Sequence, residues 1–143
     1  GAGHNVNVAL PCGVGDRGYL AVMDEIVAPL LGAYRPDALV CAAGQDASQN
    51  DQNGRQCLSA AGFHALGAAV RALAAEHTRG RVILTQEGGY EATYSAICLH
   101  ATLDGLLGRP LGVTDDIAYL PDEEAGHEAA IAAVQAAHAP WWF

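Results

Sequence analysis

The sequence is poor in the features that would declare a partner or a compartment outright. Of its 143 residues only seven are Lys or Arg against sixteen Asp or Glu, a net charge of −9. Phosphate recognition needs clustered positive charge, and these seven are scattered, so nucleic acid is excluded as a partner. No apolar run approaches the ~20 residues that a membrane span requires. The longest relevant one, Ala92 to Leu103, is closed by Glu91 and Asp104 and interrupted by His100, so no membrane insertion is expected. The N-terminal stretch GAGHNVNVALP lacks the basic segment and the long apolar segment of a secretory signal. It also lacks an initiator Met, as expected of a piece of a longer chain. The four cysteines, Cys12, Cys41, Cys57 and Cys98, form no C-x-x-C pair, which argues against a structural zinc knuckle. They read as reduced thiols packed like small apolar side chains, in a cytoplasmic protein.

What is present describes one globular domain. Hydrophobic residues make up 51% of the chain, much of it alanine, and mean hydropathy is +0.13. That composition and length suffice for a real core. The acidic balance suits cationic ligands such as lysine side chains or polyamines, although it serves solubility as well.

The order of elements follows from periodicity. Val6 to Leu10 alternates apolar and polar and stops at Pro11, as a strand does. Asp16 can cap a helix running to Tyr34, with Pro29 expected to kink or shorten it. Ala38 to Ala43 is a continuous apolar run, the pattern of a parallel strand covered on both faces. Ser59 caps a second helix ending near Gly80. Val82 to Thr85 is a second buried strand, and a third helix spans Ala92 to Leu107, stopped by Gly108 and Pro110. A last helix is expected from Glu123 to His138, before Trp141-Trp142-Phe143. Strands alternating with helices predict an α/β domain, a parallel sheet flanked by helices. Three strands make a thin sheet, so further strands are expected from missing chain or a partner.

In such a sheet the loops after the strands converge on one edge and bind ligands there. The first of these loops offers Asp46 and Asp51, and the second offers Tyr90 behind Gly88 and Gly89. A carboxylate at a strand end is a natural ligand for a divalent cation. A tyrosine behind two glycines sits on backbone that can approach a substrate, and its hydroxyl can donate to a developing oxyanion. Each residue also has a plainer reading: such an Asp can simply turn or brace its loop, and Gly-Gly-Tyr can be a turn.

At these residues a resemblance emerges. RPDALVCAAGQDASQNDQNGRQCLSAAGFHAL and RVILTQEGGYEATYSAICLHATLDGLLG resemble consecutive segments of the histone deacetylase/acetylpolyamine amidohydrolase superfamily, the second in its class II form. NVNVALPCGVGDRGYLAVMDEIVAPLL resembles the segment that precedes them, and the similarity weakens after about Gly112. The resemblance implies the C-terminal half of an arginase/deacetylase-like three-layer fold. It also implies zinc-dependent hydrolysis of N-acetyl amides, with acetylated lysine or an acetylated polyamine as substrate. Asp46 matches one aspartate of an Asp–His–Asp zinc site, with Zn²⁺ expected at ~2.0–2.2 Å. Tyr90 matches the tyrosine that polarises the acetyl carbonyl and holds the oxyanion. Gly88 and Gly89 would shape the inner wall of the acyl tunnel, Asn53 would stand at its mouth, and Asp51 would play a supporting, structural role.

Three departures from the family pattern bear on this. Gln45 precedes the metal aspartate where an aromatic or small residue is usual, and Asn53 replaces an apolar residue, which leaves the substrate open. The paired catalytic histidines and the other two zinc ligands of the family lie upstream of anything in this chain. None of His4, His64, His77, His100, His127 and His138 forms those motifs, and a catalytic zinc takes about three protein ligands. The isolated chain is therefore expected to be inactive, and its N-terminal half to be its partner. The competing reading is a non-enzymatic module that packs on that half or on another protein. Self-association through Trp141-Trp142-Phe143 would make a homo-oligomer. A nucleotide site at Gly1-Ala2-Gly3 is disfavoured, because these glycines precede a strand and complete no G-x-G-x-x-G.

Overall fold

The computed structural model describes residues 2–116 and 126–143. The helix expected from Asp16 to Tyr34 forms over those limits, but in three windings: α1 (Asp16–Val22), a π-helical turn (Met23–Val27) and α2 (Ala28–Tyr34). Pro29 has no N–H to donate, and its ring crowds the carbonyl one turn back. The wider π turn just ahead of it makes the room, so the expected kink is realised as a change of winding. Asp16 does not cap this helix. The capping position is Gly15, with no side-chain cap, and the Asp16 carboxylate is spent elsewhere, on Ser59.

The sheet has two strands among the described residues, β1 (Leu39–Ala43) and β2 (Val82–Gln86), parallel and in register from Leu39 opposite Val82 to Ala43 opposite Gln86. Val6 to Leu10 is not a third strand. Its alternation has another cause: Val6 and Val8 pack on Ile26, Ile131 and Val134, a small core between the π turn and α5 (His127–His138). One-sided burial of an extended segment gives a strand's period with no strand beside it. The expected start of α5 at Glu123 lies outside the described residues.

Coverage of the sheet also differs from expectation. Leu39, Cys41, Val82 and Leu84 turn inward, whereas Val40 and Ile83, opposite one another in register, are 71% and 60% exposed. One face of the sheet is therefore bare in this chain.

The connection between the strands is α3 (Ala60–Thr78), and α4 (Ala92–Leu107) packs along it. Ser59 caps α3 as expected, its Oγ accepting from Gly62 N at 3.1 Å while donating to Asp16 Oδ2 at 2.5 Å. α4 starts at Glu91, whose carboxylate accepts from Tyr94 N, and ends at Gly108 in the left-handed region. The two helices nearly touch at Gly67 and Gly105. A Cβ on Gly67 would lie 2.2 Å from Thr102 O, and one on Gly105 would lie 2.0 Å from His64 O. Leu58, Ala60, Phe63, Tyr94, Cys98 and Ala101 form the main core, with Tyr19 and Ala47 against it. Each large side chain there contributes about 1.5–3 kcal/mol by leaving water. Because Ala47 adjoins Asp46, this core is the floor on which the candidate site stands.

Candidate metal and oxyanion site

Asp46 follows β1 and Tyr90 follows β2, so both arise at the carboxyl ends of adjacent parallel strands. The sheet register is carried into the loops by Glu87 N donating to Ala43 O at 3.0 Å and Gln45 N donating to Gly88 O at 2.8 Å. The Asp46 carboxylate lies in a cradle that only glycines leave open. A Cβ on Gly88 would fall 2.7–2.9 Å from three of its atoms, and one on Gly44 would fall 2.5 Å from Oδ1. Gly54 backs onto the Asp46 carbonyl, where a Cβ would reach 1.8 Å. No hydrogen bond from the described residues engages the Asp46 carboxylate. Its negative charge is felt by Tyr19, whose hydroxyl is pushed up to about 12, first by burial and then by Asp46.

Tyr90 is 54% exposed, with its side chain free of the core. Its backbone, by contrast, is held: Asp51 Oδ2 accepts from Tyr90 N at 2.6 Å and from Glu91 N at 3.2 Å, and Gln52 Nε2 donates to Tyr90 O at 3.3 Å. Asp51 is buried, and its Oδ1 accepts from Asn53 N at 2.8 Å and Gly54 N at 3.1 Å. Burial alone would raise its carboxyl, but these four N–H donors outweigh it and hold the group below the usual carboxylate range. Gly89 has φ +132°, a left-handed conformation, and its missing side chain leaves room for Gln45 and Ser95. Gly88 thus faces the Asp46 carboxylate and Gly89 faces Gln45, while Asn53 is exposed on the loop.

The histidines are not brought to this place as a group. His4 packs edge-on against Tyr34 and Trp142, beside the end of α2 that feeds the start of β1, away from the strand ends that carry Asp46 and Tyr90. His64 bonds to Arg109 O at 2.8 Å, His77 lies 3.9 Å from Glu76, and His100 lies 3.5 Å from Asp104. His127 is buried beside Glu128, and the His138 ring lies tilted against Trp141, with centroids 6.0 Å apart. Among the described residues no three His, Cys, Asp or Glu side chains are grouped to hold a metal ion. The donor chemistry of Asp46 suits a cation, a carboxylate walled by glycines that accepts no hydrogen bond from the described residues, but no set of three ligands gathers around it among them.

Sequence reasoning passed over the polar layer beneath the loops. Tyr94 OH donates to Asp115 Oδ2 at 2.7 Å and accepts from Gln49 Nε2 at 3.0 Å, and Asp115 Oδ2 also accepts from Ala60 N at 3.0 Å. Burial and then the bond to Asp115 push the Tyr94 hydroxyl far above its ordinary range. Burial, followed by the charges of Asp115 and Asp16, pushes the Cys98 thiol up to about 12. These partners are 21 to 55 residues apart, so no local spacing betrays them. Gln45 is also buried, at 1% exposure, its side chain between Ala43 O and Gln86.

In open α/β sheets, ligands bind at the carboxyl ends of the strands, the edge from which Asp46 and Tyr90 arise here. Comparison with known proteins sharpens that class. Residues 1–106 match the histone deacetylase domain. The chain is 47% identical over 139 residues to histone deacetylase 8 of Arabidopsis thaliana, a match covering 96% of this chain and 37% of that protein. It is 38% identical over 117 residues to a histone deacetylase-like amidohydrolase of Pseudomonas aeruginosa, covering 82% of this chain and 31% of the relative. Among solved structures, the HDA15 HD domain superposes with a TM-score of 0.79 at 26% identity, covering 98% of this chain and 36% of that one. The chain therefore belongs to the histone deacetylase family and has its α/β fold. It spans about a third of the length of the relatives it matches. No described helix is long and apolar enough to cross a membrane.

Proposed function

We propose that this chain is the C-terminal half of a zinc-dependent deacetylase domain that hydrolyses N-acetyl amides, contributing one metal ligand, Asp46, and one oxyanion donor, Tyr90. The reading is supported chiefly by one observation. The two residues arise on loops of adjacent parallel strands, and those loops are bonded together at 2.8 Å (Gln45 N to Gly88 O) and 2.6 Å (Tyr90 N to Asp51 Oδ2).

In this reading Asp46 holds its carboxylate towards the cation, kept in place by the absence of side chains at Gly44 and Gly88. Asp46 would hold Zn²⁺ together with two further ligands from outside the described residues, and the metal would supply Lewis acidity and an activated water. The Tyr90 hydroxyl donates to the substrate oxygen as negative charge develops on it, worth ~10²–10³ in rate for a donor of this kind. Gly88 and Gly89 keep the approach narrow but open, and Asn53 stands exposed where a substrate would enter. The acyl carrier is an acetylated lysine or polyamine, for which the chain's net charge of −9 is favourable. Tyr90→Phe in the complete domain should lower kcat by about 10²–10³ with zinc content unchanged. Retention of most of the activity would refute the role of Tyr90.

A second reading is favoured by the bare sheet face at Val40 and Ile83. The chain alone is a structural half whose first task is to pack on the N-terminal half of the same domain. It then carries no catalysis and no tight zinc by itself. Metal analysis of the purified chain, with and without the upstream segment, separates the two readings. Stoichiometric zinc in the chain alone would refute the second.

A further inference from the structure

We propose that Asp51 is the positioning residue of this site, tying the loop that carries Asp46 to the loop that carries Tyr90 and so fixing one relative to the other. The proposal rests on the reading of Tyr90 as the oxyanion donor.

Two features distinguish this tie from an ordinary loop brace. A brace needs only the bonds from Asp51 Oδ1 to the N–H groups two and three residues on, those of Asn53 and Gly54 at 2.8 and 3.1 Å. The other oxygen instead reaches across 39 and 40 residues to Tyr90 N at 2.6 Å and Glu91 N at 3.2 Å, and the first of these is the shortest of the four. Both arms also end on the candidate site. Gly54, on the near arm, backs directly onto the Asp46 carbonyl, and Tyr90, on the far arm, carries the hydroxyl. One buried carboxylate thus joins the backbone of the metal ligand, through Gly54, to the backbone of the donor. Both oxygens are fully used, so an amide in its place cannot serve both arms. Its NH₂ would face two N–H donors. Gln52 Nε2 to Tyr90 O at 3.3 Å and Gln45 N to Gly88 O at 2.8 Å keep the loops adjacent without it, but neither touches Tyr90 N. Losing Asp51 should therefore loosen Tyr90 without unfolding the edge.

The test uses Asp51→Asn, isosteric and able to keep the near turn. Hydrogen exchange of the complete domain read by mass spectrometry should show the segment containing Tyr90 and Glu91 exchanging at least about tenfold faster, with α3 and β2 unchanged. Unchanged protection at Tyr90 and Glu91 would overturn the proposal. If the variant does not fold, the ¹⁵N-labelled complete domain with its native sequence gives the same answer on acidification. The amides of Asn53, Gly54, Tyr90 and Glu91 should shift together through one carboxyl titration, and independence of the two pairs would overturn the proposal. In the complete domain, Asp51→Asn should lower kcat by about 10- to 100-fold with KM and zinc content little changed. In a Tyr90→Phe background the same change should cost less than about threefold, because the group it positions is gone. Equal losses in both backgrounds would show a purely structural role and overturn the proposal. If the complete domain proves to have no hydrolytic activity, the functional reading fails, while the exchange and titration results still decide the tie.

Discussion

Gly105→Ala puts the close approach of α3 and α4 to a direct test. In an exposed helix the change would stabilise by about 1 kcal/mol, since alanine loses less backbone freedom than glycine. Here the new Cβ would lie 2.0 Å from His64 O and 2.8 Å from Ala68 N, both backbone atoms that no rotamer change can move aside. Restoring ordinary contact requires α4 to draw back by roughly 1 Å or more, which forfeits a quarter to a half of the dispersion energy of the contacts it opens. Those contacts include Cys98 and Ala101 against Phe63, the floor of the candidate site. Overpacking of this kind costs about 1–3 kcal/mol and occasionally more, so after the propensity gain the net loss should reach about 2 kcal/mol where the helices cannot part. Urea unfolding followed by circular dichroism should show a lower midpoint at constant m, and the melting temperature should fall by up to about 8 °C. Gly32→Ala is the control. That glycine is exposed in α2 with only His77 Cε1 near, at 3.8 Å, so the same substitution should be neutral or stabilising. Gly105→Ala as stable as the native chain would refute the argument that backbone proximity fixes this residue.

Gly88→Ala should act differently, because the obstructed group is the movable Asp46 carboxylate. Stability should change by less than about 1 kcal/mol, while zinc retention by the complete domain, measured by metal analysis, falls sharply; full retention would contradict the cradle. Thiol labelling of the native chain should modify exposed Cys12 promptly and buried Cys98, whose pKa is about 12, only after unfolding. Labelling of Cys98 at the rate of Cys12 would count against the core described. The lowered carboxyl of Asp51 means that its stabilisation is present above the ordinary carboxylate range and is lost as pH falls through its folded value. Native protein should therefore lose more urea resistance than Asp51→Asn between neutral pH and about pH 3, and equal losses would refute the hydrogen-bond account.

Much of the fold was legible because local chemistry governs it. Ser59 marked the start of α3, Gly108 the end of α4, and the runs at Leu39 and Val82 the strands, each a short-range signal. What misled was a pattern with two physical causes: the alternation from Val6 to Leu10 reports one buried side, and a helix supplies that as well as a sheet does. Asp16 misled in the same way, since an aspartate at a helix start can serve its own N-terminus or, as here, Ser59 across 43 residues. For the site, the residue types at the strand ends were visible, and their chemistry followed from family resemblance. The layer that organises them was not visible. The bonds of Asp51 to Tyr90, and of Tyr94 to Asp115, join residues whose separation carries no period.

The bare face of the sheet has a practical consequence. Val40 and Ile83 sit side by side on two short parallel strands, and β2 reads Val-Ile-Leu-Thr, a run with strong β propensity and no charge. Such a face offers apolar side chains to another copy, and no charged residue on β1 or β2 discourages the contact. Prepared by itself, the chain should form concentration-dependent aggregates, and Ile83→Lys or co-expression with the upstream segment should keep it in solution.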